Sequence, residues 1–81
     1  MAATSSPSPE ASARTILGIL KSFGCRAGDV VVAGQINAMF ITNGGRAKDY
    51  DAGMKHANDS GWIEAASTAA IRLTDAGFAE M

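Results

Sequence analysis

Apolar residues recur at spacings of three and four over residues 9–23, which predicts an amphipathic first helix. Its expected inward stripe is Ala13, Ile16, Leu17, Leu20 and Phe23. Ser8 and Pro9 suit the cap and the first helical position, and Gly24 suits the left-handed position that ends a helix. Cys25 then falls where it can pack back on this helix as a small buried hydrophobe.

The middle of the chain is less periodic. Three valines at residues 30–32 follow a Gly-Asp turn and predict a short strand. A second helix is expected from about residue 33 to a turn at 43–45, because three apolar residues share one helical face: Ile36, Met39 and Phe40. The same apolar run also fits a strand over residues 39–42, since periodicity alone does not decide a short segment.

A third helix is expected from about Lys48 to Ser60. Tyr50, Met54 and Ala57 form its inward stripe, and Gly53 on the same helix allows another element to approach closely. Gly61 ends this helix as Gly24 ends the first. Trp62 can then fold back over the third helix and close the core.

The last segment alternates as strands do. Short apolar runs at residues 62–65 and 69–73, joined by a small loop, predict a β-hairpin. A final short helix is expected over about residues 75–80, capped by Thr74 and anchored by Phe78. The predicted fold class is therefore α+β.

This order of elements resembles the winged-helix branch of the helix-turn-helix superfamily, and the likeness covers roughly residues 10–80. The segments that carry it are Ile16-Leu17-Gly18-Ile19-Leu20, Gly61-Trp62-Ile63-Glu64 and Arg72-Leu73-Thr74-Asp75-Ala76-Gly77. The Leu-Thr-x-x-Gly step recurs at the close of the wing in bacterial winged-helix regulators, and the chain is similar to small uncharacterised bacterial proteins of this shape. The resemblance implies a three-helix core with a short β-hairpin wing over residues 9–81. It also implies DNA binding and transcription regulation, with the third helix as the recognition element.

Charge limits this expectation. The chain has a formal net charge of −1, whereas proteins dedicated to nucleic acid are usually clearly basic. The candidate phosphate contacts are Arg46, Lys48, Lys55, His56 and Arg72. Aspartates are interleaved with them, which favours a solvated face of mixed charge over a phosphate-facing patch, and the predicted wing tip, residues 65–69, has no cation. Duplex DNA is thus expected to be a weak partner.

A protein-interaction or dimerisation module on the same fold, without DNA binding, is the alternative. Ile41 motivates it, because helical spacing directs this side chain away from Ile36 and Met39. The predicted wing tip, which has no cation, also favours a protein-interaction module over DNA binding. The partner would then be another protein or a second copy of the chain.

Other functions find little support. No serine, histidine and acid arrangement suggests catalysis, so we expect no enzyme. The lone Cys25 and lone His56 give too few ligands for zinc, and no cofactor motif occurs. No apolar run approaches the 18–20 residues or so of a membrane span, and no secretion signal is evident, so we expect a cytoplasmic protein. Residues 1–8 are small and polar and are expected to be disordered.

Overall fold

The computed structural model describes residues 8–81, so most of the predicted disordered tail over residues 1–8 lies outside the described part. Its elements are α1 (Pro9–Ser22), β1 (Val30–Val32), α2 (Ala33–Thr42), α3 (Ala47–Asp59), β2 (Ile63–Ser67), β3 (Ala70–Leu73) and α4 (Asp75–Glu80). The fold is α+β, as predicted, and the segment that could have been a strand over residues 39–42 belongs to α2. The arrangement is compatible with a winged-helix layout without being specific to it.

Local signals set both ends of α1. The Ser8 hydroxyl accepts a hydrogen bond from the Ala11 amide at 3.1 Å, and Gly24 adopts a φ of 77° after the last turn. The Cys25 amide donates to the Leu20 carbonyl at 3.1 Å, which places this residue back against the helix as expected. Phe23 does not complete the buried stripe: it is the C-cap of α1 and is 40% exposed, because it lies beyond the last helical residue.

α1 and α3 form the most extensive helix–helix contact of the fold. A Cβ atom on Gly53 would lie 2.8 Å from the backbone carbon of Ser12, which confirms the predicted close approach. One turn earlier in α1, Pro9 lines a surface cleft together with His56 and Asp59, which lie near the end of α3. The two helices therefore run antiparallel, with the start of α1 beside the end of α3.

The three strands form an antiparallel sheet in the order β1-β3-β2. Val31 lies opposite Ile71, and Ile63 lies opposite Leu73, so these side chains share the face that covers the core. The register shifts between Ala65 and Ser67, which leaves an irregular tip on the predicted hairpin. β1 adds a third strand to the predicted pair.

The core is aliphatic and is closed by the Phe40–Tyr50 pair and by Trp62. Its largest fully buried apolar side chains are Ile16, Leu17, Leu20, Ile36 and Leu73. Phe40 and Tyr50 meet edge to face at 5.6 Å, and the Tyr50 hydroxyl donates to the Ala33 carbonyl at 3.1 Å. Trp62 is 9% exposed and its amide donates to the Ala57 carbonyl at 2.9 Å, so its predicted position over α3 is confirmed.

α4 docks in a different way from the one expected. Thr74 caps it as predicted, its hydroxyl accepting from the Gly77 amide at 3.0 Å. The anchoring role of Phe78 is wrong, since this side chain is 47% exposed. Gly77 faces inward instead, because the helix lies so close to the Trp62 carbonyl that a side chain would collide there. Phe78, the next residue around the helix, is thereby turned to solvent.

Across residues 8–81, none of the helices combines the length and apolar character that crossing a membrane requires.

Candidate nucleic-acid interface

The outer face of α3 carries the residues that the sequence nominates for phosphate contact. One side of the helix is buried through Tyr50, Gly53 and Ala57. The opposite side exposes a row at spacings of three and four: Lys48, Asp51, Lys55 and Asp59. The charges along this row alternate and sum to zero, so a positive potential is not sustained along the helix.

Lys55 is engaged within this row. Its Nζ atom lies 3.0 Å from Oδ2 of Asp59, four residues on, and both side chains are well exposed. An exposed pair of this kind contributes about 0.3–0.5 kcal/mol. Its main effect is to place a carboxylate beside the cation, which lowers the attraction of Lys55 for a phosphate.

Arg72 lies away from the helix cations. It is on the central strand β3, opposite Glu64 and Val30, so it shares the outer face of the sheet with them. Its Nη1 atom lies 2.9 Å from Oε2 of Glu64. An open cleft of about 290 Å³ beside it is also lined by Asp75, which makes the lining net negative. The structure therefore does not group Arg72 with the candidates on α3.

His56 packs on the side of α3. Its ring meets that of Trp62 edge to face, with centroids 5.6 Å apart, and the residue is half-buried. This contact helps to hold the tryptophan in place over the core. Among the five candidates, His56 is thus the one most involved in packing.

Arg14 approaches the same indole, and sequence reasoning missed it. Its guanidinium carbon lies 5.0 Å from the Trp62 ring centroid, a cation–π arrangement. Hydrogen bonds to Glu10 and then Glu80 raise the pKa of Arg14 above its ordinary value. The i,i+4 spacing of Glu10 and Arg14 was the available signal, but the link to Glu80 joins α1 to α4 and has no local signature.

Arg46 and Lys48 are the predicted cations that are least involved in ion pairs or packing. Arg46 is the N-cap residue of α3 and Lys48 lies in its first turn, and both are exposed. Within residues 8–81, neither has a carboxylate oxygen within 4.0 Å. The positive end of the α3 macrodipole lies at the same place and adds to their field.

The hairpin tip adds no candidate phosphate contact, and Cys25 adds no reactive thiol. Residues 65–69 form a tip that is exposed except at the half-buried Ala66, and none of them is a cation. Burial, and after it the charge of Asp29, raises the pKa of the Cys25 thiol, so little reactive thiolate forms near neutral pH. Within the described part of the chain, no three histidine, cysteine or acidic side chains come together as a set of metal ligands.

Comparison with known proteins finds no match for this chain among protein families, curated proteins or solved structures.

Proposed function

We propose that the chain is a winged-helix protein that binds duplex DNA weakly, through the phosphate backbone, at the start of α3. The observation that carries this proposal is the pair of exposed cations Arg46 and Lys48, which have no carboxylate partner in the described residues and flank the positive end of a helix dipole. The element order and the resemblance in residues 10–80 support the choice of duplex DNA as the polyanion.

The binding is expected to be weak because the rest of the row on α3, Asp51, Lys55 and Asp59, is net negative. Lys55 is paired with Asp59, and Asp51 lies between the two lysines. Two phosphate contacts give a slope of about −1.8 in a plot of log affinity against log salt concentration. Non-specific complexes of this type have dissociation constants of about 10⁻⁴ to 10⁻⁶ M at physiological salt.

Fluorescence anisotropy with a labelled random-sequence duplex tests the proposal. We expect saturable binding at low salt that weakens when Arg46→Ala and Lys48→Ala are combined. Lys55→Ala is the matched control on the same helix and is expected to change the affinity little. Absence of any anisotropy change at about 100 µM protein in 20 mM salt would reject DNA binding, because non-specific affinity rises steeply at low salt.

A second candidate is a protein-interaction or dimerisation module, and exposed apolar side chains favour it. Val30 and Val32 are 50% and 52% exposed on the outer face of the sheet, and Ile41 is 45% exposed near the end of α2. Exposed apolar groups on one surface are typical of interaction sites when they are contiguous.

Sedimentation equilibrium distinguishes this second candidate. A concentration-dependent mass that Val30→Thr and Val32→Thr abolish would support association through the sheet. A monomer at all concentrations, together with a saturable DNA titration, would favour the first function.

A further inference from the structure

We infer that β1 is a dimerisation edge, at which the β1 strands of two copies of this chain pair antiparallel and join their three-stranded sheets into one continuous sheet. The inference rests on the second candidate function, protein interaction or dimerisation. It names the partner as a second copy of the chain and the contact as the free edge of β1.

The first argument is that β1 has backbone groups left unpaired. The Leu73 amide donates to the Asp29 carbonyl at 2.9 Å, so residue 29 directs its backbone to β3. Because hydrogen-bonding residues alternate along an antiparallel strand, Val30 and Val32 direct their backbone groups to the opposite side, where no strand of residues 8–81 lies. The Val32 carbonyl begins the hydrogen bonding of α2. The Val30 amide, the Val30 carbonyl and the Val32 amide therefore remain free for another strand.

The second argument is a difference between the two edges of the sheet. The β2 edge carries two features that protect an exposed strand: the charged Glu64, and the irregular register between Ala65 and Ser67. β1 is made of three valines and has no charge, proline or register shift. Its Val30 and Val32 side chains are about half exposed. An apolar edge without such protection is a template for pairing, so β1 is the edge that binds.

The third argument is that β1 is self-complementary about a two-fold axis through Val31. In this register the Val32 amide donates to the Val30 carbonyl of the second copy, and the reciprocal bond forms on the other side of the axis. The Val30 amide faces the second lone pair of the opposing Val32 carbonyl. Val30 and Val32 of the two copies then lie side by side on the outer face, as a β-branched cross-strand pair on each side of the axis.

The fourth argument is charge complementarity at the ends of β1. The same register sets Asp29 opposite Ala33 of the second copy, which is the first residue of α2. Asp29 shares the inner face of the sheet with Val31, and α2 packs on that face. α2 begins without a side-chain cap and without an acidic residue in its first turn, so the positive end of its dipole has no counter-charge within its own chain. Asp29 of the other copy supplies one.

The two Asp29 carboxylates do not oppose each other in this dimer. They are offset by four residues along the strands, or about 13 Å, which exceeds the Debye length of about 10 Å in 0.1 M salt. Each copy therefore gains one favourable contact at the start of α2 without a matching repulsion.

The short length of β1 limits the strength of the dimer. Interfaces below about 1,200 Å² belong to weak and transient complexes, and pairing through a three-residue strand is of that class. We expect a dissociation constant between about 10 µM and 1 mM, which sedimentation equilibrium can measure.

Val32→Pro is the variant that tests edge pairing. The φ angle of Val32 is −69°, which proline adopts, and the Val32 amide faces away from β3. Proline therefore removes the donor that the second copy uses and keeps both the apolar surface and the ladder within the chain. We expect the dissociation constant of the dimer to rise roughly 5- to 150-fold, since two hydrogen bonds are lost. The matched control, Val32→Ile, keeps the amide and the branched side chain and is expected to leave the dimer intact.

Asp29→Asn tests the charge contact separately. Asparagine can still accept the hydrogen bond that Asp29 takes from the Arg26 amide, but it has no charge. We expect the dissociation constant to rise roughly 3- to 30-fold at low salt, because two dipole contacts are lost, and to change less at high salt.

Amide hydrogen exchange of the wild-type chain gives a readout that depends on no variant. The Val32 amide is expected to exchange more slowly as the protein concentration rises, because the second copy covers it. The Val31 amide, which is bonded to β3 in every copy, is the internal reference and is expected to change little.

The outcomes separate the inference from the function on which it rests. A chain that stays monomeric up to about 1 mM would overturn the inference and self-association with it, while the duplex titration decides DNA binding independently. A dimer that survives Val32→Pro, with a Val32 amide whose exchange does not depend on concentration, would overturn edge pairing and leave association through the outer face of the sheet intact. Circular dichroism checks that each variant folds. If Val32→Pro does not fold, the exchange of the Val32 amide and the effect of Asp29→Asn decide the question.

Discussion

The two faces of α3 differ in how closely their surroundings constrain them. On the inner face, Gly53 touches the backbone of Ser12, and Ala57 is fully buried. On the outer face, Lys48, Asp51 and Lys55 alternate in charge and lie in solvent. Substitutions on the inner face are therefore expected to lower the free energy of unfolding by about 1–5 kcal/mol. Those on the outer face are expected to act on binding and its salt dependence.

The largest expected effect is at Trp62, which closes the inner side of α3. Trp62→Ala removes a side chain that is 9% exposed and that contacts both His56 and Arg14. We expect a loss of about 3–5 kcal/mol in the free energy of unfolding, as for other large aromatic truncations. Urea unfolding followed by far-ultraviolet circular dichroism measures it. A loss below about 1 kcal/mol would show that the indole does not close the core.

Gly53→Ala is next in size. The added methyl group would lie 2.8 Å from Ser12, so the helices must separate, at a cost of about 1–3 kcal/mol. Gly18→Ala is the matched control, since nothing lies within 4 Å of the position of its Cβ atom on α1. It is expected to stabilise the protein by about 0.5–1 kcal/mol, because alanine favours a helix. Equal effects of the two substitutions in urea unfolding would contradict the close contact.

Ser12→Ala is expected to be neutral or stabilising by up to about 1 kcal/mol. The Ser12 hydroxyl is buried without a hydrogen-bond partner in the described part of the chain, so its removal relieves a desolvation cost. Thermal or urea unfolding of the variant and the wild-type chain measures the change in stability. A clear loss of stability would indicate that the hydroxyl has a partner.

The smallest expected effect on stability is on the outer face. Lys55→Ala breaks the exposed pair with Asp59 and is expected to cost less than about 0.5 kcal/mol. Glu64→Gln is a comparable change at the exposed pair with Arg72. A loss above about 1 kcal/mol for either in urea unfolding would mean that the outer pairs help to fix the fold.

Much of the secondary structure follows from local signals in the sequence. Ser8, Thr74 and the glycines at 24 and 61 fix the ends of helices through caps and left-handed backbone angles, which depend on a few neighbouring residues. Phe78 shows the limit of that reasoning. Its hydrophobicity predicted an anchor, but the close approach of Gly77 to Trp62 turned it outward.

The candidate site was predictable as a set of residue types and not as a surface. Residue positions on α3 indicated that Lys48 and Lys55 share a face, because helical periodicity is local. They could not indicate that Arg72 pairs with Glu64 across the sheet, or that Arg14 joins Glu80 and lies over an indole far along the chain.

The sequence by itself indicated the fold class, the capped ends of helices and the near-neutral charge, since each depends on composition or on contacts within a few residues, but it left residues 39–42 open between helix and strand. Only the tertiary structure decided that α1 runs antiparallel to α3, that β3 lies between β1 and β2, and which cations keep a carboxylate beside them. Those features depend on side chains that are distant in the chain and close in space. Packing, which acts between such side chains, sets them.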